Sequence, residues 1–178
     1  MMLYLGIDPG ASGAAAFIAD DGRIFRIIEW KKHTPDETAN LLRQAEQKSR
    51  EYIVACIEKV HSMPGQGVRS VFSFGENFGW WHGLLAGLGI PLAANPSPQR
   101  WQKDMGCLSK GDKNVTKAAA HRLWPKDVKA LTHGTADACL LGEWLRRERK
   151  NLDGANRTHA DGLSAADEAE ALREVPKP

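Results

Sequence analysis

Leu5-Gly6-Ile7-Asp8-Pro9-Gly10-Ala11-Ser12-Gly13 decides how the chain is read. An apolar run from Leu3 to Ile7 delivers one carboxylate, Asp8, and stops at Pro9-Gly10. Proline cannot continue a central ladder and glycine supplies the turn. Asp8 is therefore expected at the C-terminal end of a buried strand, the end at which open α/β sheets bind ligands. By itself the same residue reads equally as a strand-to-turn aspartate closing an Asx turn. A chemical role requires further carboxylates delivered in the same way.

A second one follows. Ile53–Ile57 is wholly apolar, suits the interior of a sheet, and ends on Glu58. The alternation along each strand puts Asp8 on the face of Tyr4 and Gly6, and Glu58 on that of Val54 and Cys56. The third lies in Thr132-His133-Gly134-Thr135-Ala136-Asp137-Ala138-Cys139, which opens a helix expected to run to about Arg149. Asp137, Leu141, Trp144 and Glu148 share its sheet-facing side. A carboxylate buried there is unfavourable without a positive partner. His133 lies one turn earlier on nearly the same face and is a further possible ligand.

Between these motifs the chain reads as alternating elements. Leu3–Asp8, Gly13–Ala19 and Arg23–Trp30 form three strands, the last two joined through the turn signal Asp20-Asp21-Gly22. Thr34-Pro35-Asp36-Glu37 is a capping box opening a helix to about Glu51. Lys59–Gly67 is a loop around Pro64-Gly65, and a long helix spans about Ser70–Leu88. Ile90–Ala94 is a short strand. Ser97-Pro98 starts a helix to Met105-Gly106, and Asn114–Trp124 is another, ended by Pro125. The fold class expected is α/β, with a mixed five-stranded sheet flanked by helices. One domain covers about 1–150. A polar acidic tail, 151–178, is read as disordered or as a short helix near Ala165–Glu174.

Gly75, Gly79, Gly83 and Gly87 lie in one line along the long helix. Each costs roughly 1 kcal/mol against alanine, so close backbone approach must offset the loss. Packing on the chain's own sheet and a contact with a second copy are equally compatible with the line. Phe78 and Trp81 read as core. Phe72 and Phe74, near the helix start, can instead stack on an unpaired base.

Formal net charge is only +2, but it is unevenly spread. Residues 95–150 carry twelve Lys/Arg against six Asp/Glu, a local +6, whereas 151–178 carry three against six, a local −3. The polar loop with Lys110, and Lys113, Lys117 and His121 at four-residue steps beyond it, form a basic stripe suited either to solvent or to phosphates. Cys56, Cys107 and Cys139 show no C-x-x-C pairing and read as reduced core thiols, consistent with the cytoplasm. No signal-peptide pattern and no run of about 18 apolar residues is present, so no membrane association is expected.

Three carboxylates brought together repel strongly unless cations separate them. Oxygen ligands with one histidine suit Mg²⁺ or Mn²⁺, and two such ions about 4 Å apart clamp the attacking and leaving oxygens of a phosphodiester. The pattern points to metal-dependent phosphodiester hydrolysis.

LGIDPGASGAAAF, then IEKV, then HGTADACLLGEWL, resembles the RuvC-type Holliday-junction resolvases of bacteria and phages. VFSFGENFGWWHGLLAGLGIP, PSPQRWQKDMG and KNVTKAAAHRLWP are similar to the shorter phage-type members. The likeness spans about residues 3–150. It implies an RNase H-like fold and a crossover junction endodeoxyribonuclease. That enzyme is a homodimer joined by the Ser70–Leu88 helix and nicks four-way junctions symmetrically with Mg²⁺, leaving 5′-phosphates. Asp8, Glu58 and Asp137 match the family's metal carboxylates. The fourth ligand, three residues before the last aspartate, falls on Gly134, and His133 is taken in its place. Lys113 and Lys117 match basic residues near the scissile phosphate, and Phe72 or Phe74 the aromatic that opens the crossover. Two rival readings are an RNase H-like nuclease acting on other branched DNA or on RNA–DNA hybrid, and an actin-like sugar kinase or ATPase fragment. The kinase needs a second phosphate loop, which the sequence lacks. A non-catalytic DNA-binding module is a third, disfavoured by the retention of all three carboxylates.

Overall fold

The computed structural model describes residues 2–49, 52–59 and 67–171, with backbone alone for 48–49 and 154–171. The loop expected around Pro64-Gly65 and the end of the tail, 172–178, lie outside the described residues. The chain divides into two compact units, Met1–Arg146 and Arg147–Pro178.

The first unit is built on a five-stranded sheet. Its strands are β1 (Leu3–Ile7), β2 (Ala15–Ala19), β3 (Ile24–Ile28), β4 (Ile53–Ile57) and β5 (Leu92–Ala94), in spatial order β3-β2-β1-β4-β5. β1 pairs antiparallel with β2 and parallel with β4, and β4 pairs parallel with β5. The mixed sheet expected from the sequence is thus present. The β2–β3 turn forms at Gly22, whose φ of +86° is open to glycine, with its N–H bonded to Ala19 O.

The described residues form five α-helices, α1 (Pro35–Ser49), α2 (Val68–Gly87), α3 (Pro98–Asp104), α4 (Lys113–Leu123) and α5 (His133–Ala171), the last running from the first unit into the second. The capping box holds α1 at its start. Thr34 N–H donates to Glu37 Oε2 at 2.7 Å, and Glu37 N–H to Thr34 Oγ1 at 3.2 Å. Strand alternation divides the core into two layers. Tyr4, Ile18, Val54 and Cys56 pack with Trp101, Ala120, Leu141 and Trp144 on one face of the sheet. Leu3, Leu5, Ile7 and Phe17 pack with Leu42, Trp81 and Leu85 on the other. Phe78 and Trp81 join that second layer as the sequence suggests.

One contact sets the position of the last helix. A Cβ on Gly6 would collide with Gly142 N and Ala138 O, and a Cβ on Gly142 would meet Ile18 Cγ1 at 2.8 Å. α5 therefore lies on β1 backbone to backbone, which only a glycine pair permits. Asp137, just over one turn before Gly142, is carried toward the end of β1 where Asp8 stands.

The helix does not stop near Arg149 as its pattern suggests. It continues to Ala171. Residues 151–171 contain no proline and are rich in Ala, Asp and Glu, so propagation is not stopped, although Gly154 and Gly162 each weaken it.

Candidate active site

β1 and β4 run side by side in the same direction, with Ile7 opposite Ile57. The residue after each strand is a carboxylate, so Asp8 and Glu58 emerge together. Gly6 and Cys56 point toward α5, and by alternation Asp8 and Glu58 point the same way. The first turns of α5 bring Asp137 to the same place. All three line one open cleft of about 650 Å³, with Lys113, Thr116 and Phe74 in its walls.

Each carboxylate has its own support. Gly10 N–H donates to Asp8 Oδ1 at 2.9 Å. The Asx turn expected at Asp8 is present, and it aims the side chain into the cleft. A Cβ on Gly13 would collide with Asp8 O, so the Pro9–Gly13 loop closes tightly on the strand end. Trp101, fully buried on α3, donates its indole N–H to Glu58 Oε1 at 2.8 Å. Asp137 has the Thr116 hydroxyl beside it, yet its Oδ1 is buried with no hydrogen-bond partner among the described residues.

The electrostatics are those of crowded acids. Burial, then the neighbouring Asp137 charge, raise Asp8 to about 6, against the Gly10 N–H and Lys113, which pull it down. Burial and then Asp8 raise Glu58 to about 7, opposed by Trp101 and Lys113. Asp137 is raised by burial, opposed by Thr116 and Lys113. Lys113 thus acts on all three carboxylates. The sequence shows no cation beside Asp8 or Asp137; folding supplies one from the first turn of α4. A single ammonium does not offset three carboxylates.

This donor set fits hard divalent cations. It offers carboxylate oxygens from three elements, one of them a buried oxygen that no described residue hydrogen-bonds. Among the described residues, no group of three or more His, Cys, Asp or Glu side chains stands close enough to form a ready-made metal cage.

Other expected residues fall elsewhere. His133 is not brought to the carboxylates. Its side chain is exposed, does not line the cleft, and places Nε2 3.1 Å from Asn114 Oδ1. His133 precedes Asp137 by four residues rather than three, and its ring is drawn aside to the start of α4. The position three residues before Asp137 is closed to any side chain, because a Cβ on Gly134 would run into Ser12 O. The fourth ligand expected from the resemblance has no room there.

Lys110 is exposed at φ +49° in the loop before α4. Lys117 lies one turn beyond Lys113. Neither lines the cleft, whereas Lys113 does. Phe74 lines it as well, while Phe72 is 71% exposed on the outside of α2. The line of glycines is also outward. Gly75, Gly79, Gly83 and Gly87 are exposed, and a Cβ on any of them would find nothing within 4 Å. Among the described residues, nothing outside the helix packs on the ridge.

Trp101, Thr116 and Arg69 belong to this site and sequence reasoning overlooked them. For Trp101 a signal existed. It is the one large apolar residue of a short polar helix, and an indole on such a helix has to bury against the sheet and find an acceptor.

The fold is similar to that of RuvC, the RNase H-like fold expected from the sequence. The chain is similar to T. thermophilus RuvC in complex with Holliday junction substrate, at a TM-score of 0.60 and 14% identity, over 84% of this chain and 96% of that one. It is also similar to Ydc2, the yeast mitochondrial Holliday junction resolvase, at 0.51 and 16%, over 84% and 80%. In sequence it is 33% identical over 86 residues to the chloroplastic Holliday junction resolvase MOC1 of Chlamydomonas reinhardtii. Those residues are 46% of this chain and 10% of that protein, so the chain matches about a tenth of the length of that relative. No protein-family model matches the chain. No helix of the described residues is long and apolar enough to cross a membrane.

Proposed function

We propose that the chain is a RuvC-type endonuclease that resolves four-way DNA junctions by paired nicks, acting as a homodimer. The observation that carries the reading is the meeting of Asp8, Glu58 and Asp137, from three distant segments, in one cleft of a RuvC fold. T. thermophilus RuvC has been seen with a Holliday junction substrate. MOC1 and Ydc2 carry the same activity in their names.

Asp8, Glu58 and Asp137 would hold two Mg²⁺ ions, with Mn²⁺ able to substitute. When bound, such ions activate water and stabilise charge on the phosphodiester oxygens. The chain's own residues then do the following. Gly10 and Trp101 hold the Asp8 and Glu58 carboxylates in fixed orientation through their N–H groups. Lys113 presents its ammonium to the scissile phosphate from the first turn of α4. Lys110 and Lys117, farther along the basic half, contact the backbone away from the cut. Phe74, in the cleft wall, offers its ring to a base beside the cut, and Phe72, bare on α2, opens the crossover. His133 is not among the metal ligands in this reading and acts through Asn114.

Gly75 to Gly87 form the contact between protomers, which places two clefts about one axis and lets both strands of like polarity be nicked. The three buried free thiols suit a reducing compartment such as a bacterial or phage-infected cytoplasm.

One comparison tests the reading. Labelled four-way, three-way, flap and linear DNA, and RNA–DNA hybrid, are incubated with Mg²⁺ or with chelator. Symmetric nicks in the four-way substrate alone, dependent on the cation, are expected. Preferential cutting of hybrid or flap would replace the proposal with one of its nuclease rivals.

A further inference from the structure

A second groove, of about 550 Å³, opens beside the carboxylate cleft. We infer that it binds one unpaired nucleobase of the strand being cut, with the base against Trp30 and Trp80 and its phosphate at Lys31 and His33. The inference rests on the nuclease reading above and adds to it a position at which base identity is read.

Topology puts the groove on the path of the strand. β3 is antiparallel to β2, and β2 to β1, so β3 ends at the same edge of the sheet as β1. The single 3-10 turn Trp30–Lys32 therefore emerges next to the Asp8 loop. The groove and the carboxylate cleft share two lining residues, Ala11 from that loop and Ser73 from α2. A strand with one phosphate at the carboxylates needs only to cross this low wall to lay a neighbouring nucleotide in the groove.

The lining has the chemistry of a single-base site. Trp30 and Trp80 are each only partly buried against the core, leaving ring surface open to the groove. Trp30 is held in place. Its indole N–H donates to Gly10 O at 3.2 Å, while the N–H of the same glycine holds Asp8 Oδ1. An aromatic fixed to the loop that aims Asp8 keeps a stacked base in register with the carboxylates. Lys31 is exposed and forms no ion pair among the described residues, whereas Lys32 beside it is paired with Glu29 at 2.8 Å. Lys31 and His33 make one side of the groove suited to phosphate. On the α2 side stand Glu76 and Asn77. Glu76 repels phosphate and accepts from an exocyclic amine, which favours cytosine or adenine over thymine.

The test uses the full chain and a four-way junction whose cut sites have been mapped. In chelator, 2-aminopurine is placed singly at each position flanking the scissile phosphate. One position, a nucleotide or two from the cut, should be quenched on binding, and Trp80→Leu should relieve the quenching. In Mg²⁺, an abasic site at that position should slow nicking about tenfold, the scale of one lost stacking contact. Trp80→Leu should lose about as much on intact DNA and nothing further on the abasic junction. Thymine there should be cut more slowly than cytosine. Lys31→Glu, an exposed change that leaves the core intact, should weaken binding and flatten its salt dependence.

A junction nicked at the normal rate with no sensitive position, or abasic and Trp80→Leu effects that multiply, overturns this inference alone. Failure to bind or nick any branched DNA overturns the nuclease reading with it.

Discussion

Trp101 donates its indole N–H to Glu58 Oε1 at 2.8 Å, across 43 residues of chain. The indole is fully buried, and the bond joins α3 to the end of β4. The Trp101 N–H, with Lys113, opposes the burial and the Asp8 charge that raise this carboxylate to about 7.

Trp101→Phe keeps most of the packing and removes the donor. Loss of a hydrogen bond that orients a metal carboxylate typically lowers affinity or activity about 10–100-fold. Junction nicking should fall by that order, with the half-saturating Mg²⁺ concentration rising and junction affinity in chelator unchanged. If Mg²⁺ dependence is unaltered, Trp101 serves packing only.

The crowded acids make a prediction about pH. Asp8 and Glu58 hold their protons more tightly folded, at about 6 and 7, than unfolded, at 3.8 and 4.5. The folded state thus binds more protons across that interval, and its stability falls as pH rises through it. In chelator, this contribution is fully present below about pH 4 and gone above about pH 7. Scanning Tm from pH 4 to 8 should show the decline, and the Asp8→Asn, Glu58→Gln double variant should flatten it. Mg²⁺ should raise Tm more at pH 8, where the carboxylates are charged, than at pH 5. Equal stabilisation at both would separate the cation from these two groups.

Asp8→Asn retains the Gly10 bond, since an amide oxygen also accepts, but removes the charge. Junction binding should persist and Mg²⁺-dependent nicking fall by at least about a hundredfold, the lower range for losing a group that stabilises transition-state charge. A labelled four-way junction in Mg²⁺ measures the second effect, and a gel shift in chelator the first. Near-normal nicking would falsify the role given to Asp8.

How far the site could be read from sequence follows from where each residue gets its position. Asp8 and Glu58 end apolar strands, and strand alternation fixes the face each takes on its own strand, while the parallel β1–β4 register makes the two faces one. Asp137 follows from helical spacing. The glycine line on α2 is equally local, and only its direction, outward into open space, needed coordinates. Trp101, Thr116 and the reach of Lys113 depend on how α3 and α4 dock on the sheet, which no local pattern encodes. His133 shows the limit of spacing arguments. A residue one turn before Asp137 on nearly the same face could be a ligand, but the approach of Gly134 to Ser12 O and the Asn114 amide turn it elsewhere. The length of α5 was missed for another reason. The tail's polarity argued against a packed core, but up to Ala171 it holds no proline to stop a helix.

The glycine ridge gives a prediction that separates association from folding. Gly79 and Gly83 are exposed, and a Cβ at either would meet no described atom beyond its own stretch of helix within 4 Å, so the protomer offers no contact that a side chain begun there would clash with. Leucine is also the better helix former, by up to about 1 kcal/mol per site. Gly79→Leu with Gly83→Leu should therefore keep or raise helicity and Tm of the protomer while pushing two backbones apart. Sedimentation should show a dimer for the parent chain and a monomer for the variant at the same concentration. Paired nicks should give way to single, uncoordinated ones, because each cleft stays whole while its twin is lost. A variant that still sediments as a dimer and still cuts both strands would move the contact away from α2.

His133 and Asn114 supply the last prediction. Asn114 Nδ2 donates to Asp112 Oδ1 at 3.0 Å, which leaves Asn114 Oδ1 as acceptor and His133 Nε2 as donor. The bond ties the first turn of α4, which carries Lys113, to the first turn of α5, one turn before Asp137. His133→Gln, long enough to donate to the same oxygen, should keep near-parent activity. His133→Ala should loosen Lys113 and slow nicking by no more than about tenfold, the scale of one hydrogen bond. Mg²⁺ affinity, measured by the cation's effect on Tm, should be the same in both variants. A histidine that held the cation would behave otherwise, with alanine and glutamine alike weakening Mg²⁺ binding and neither restoring it.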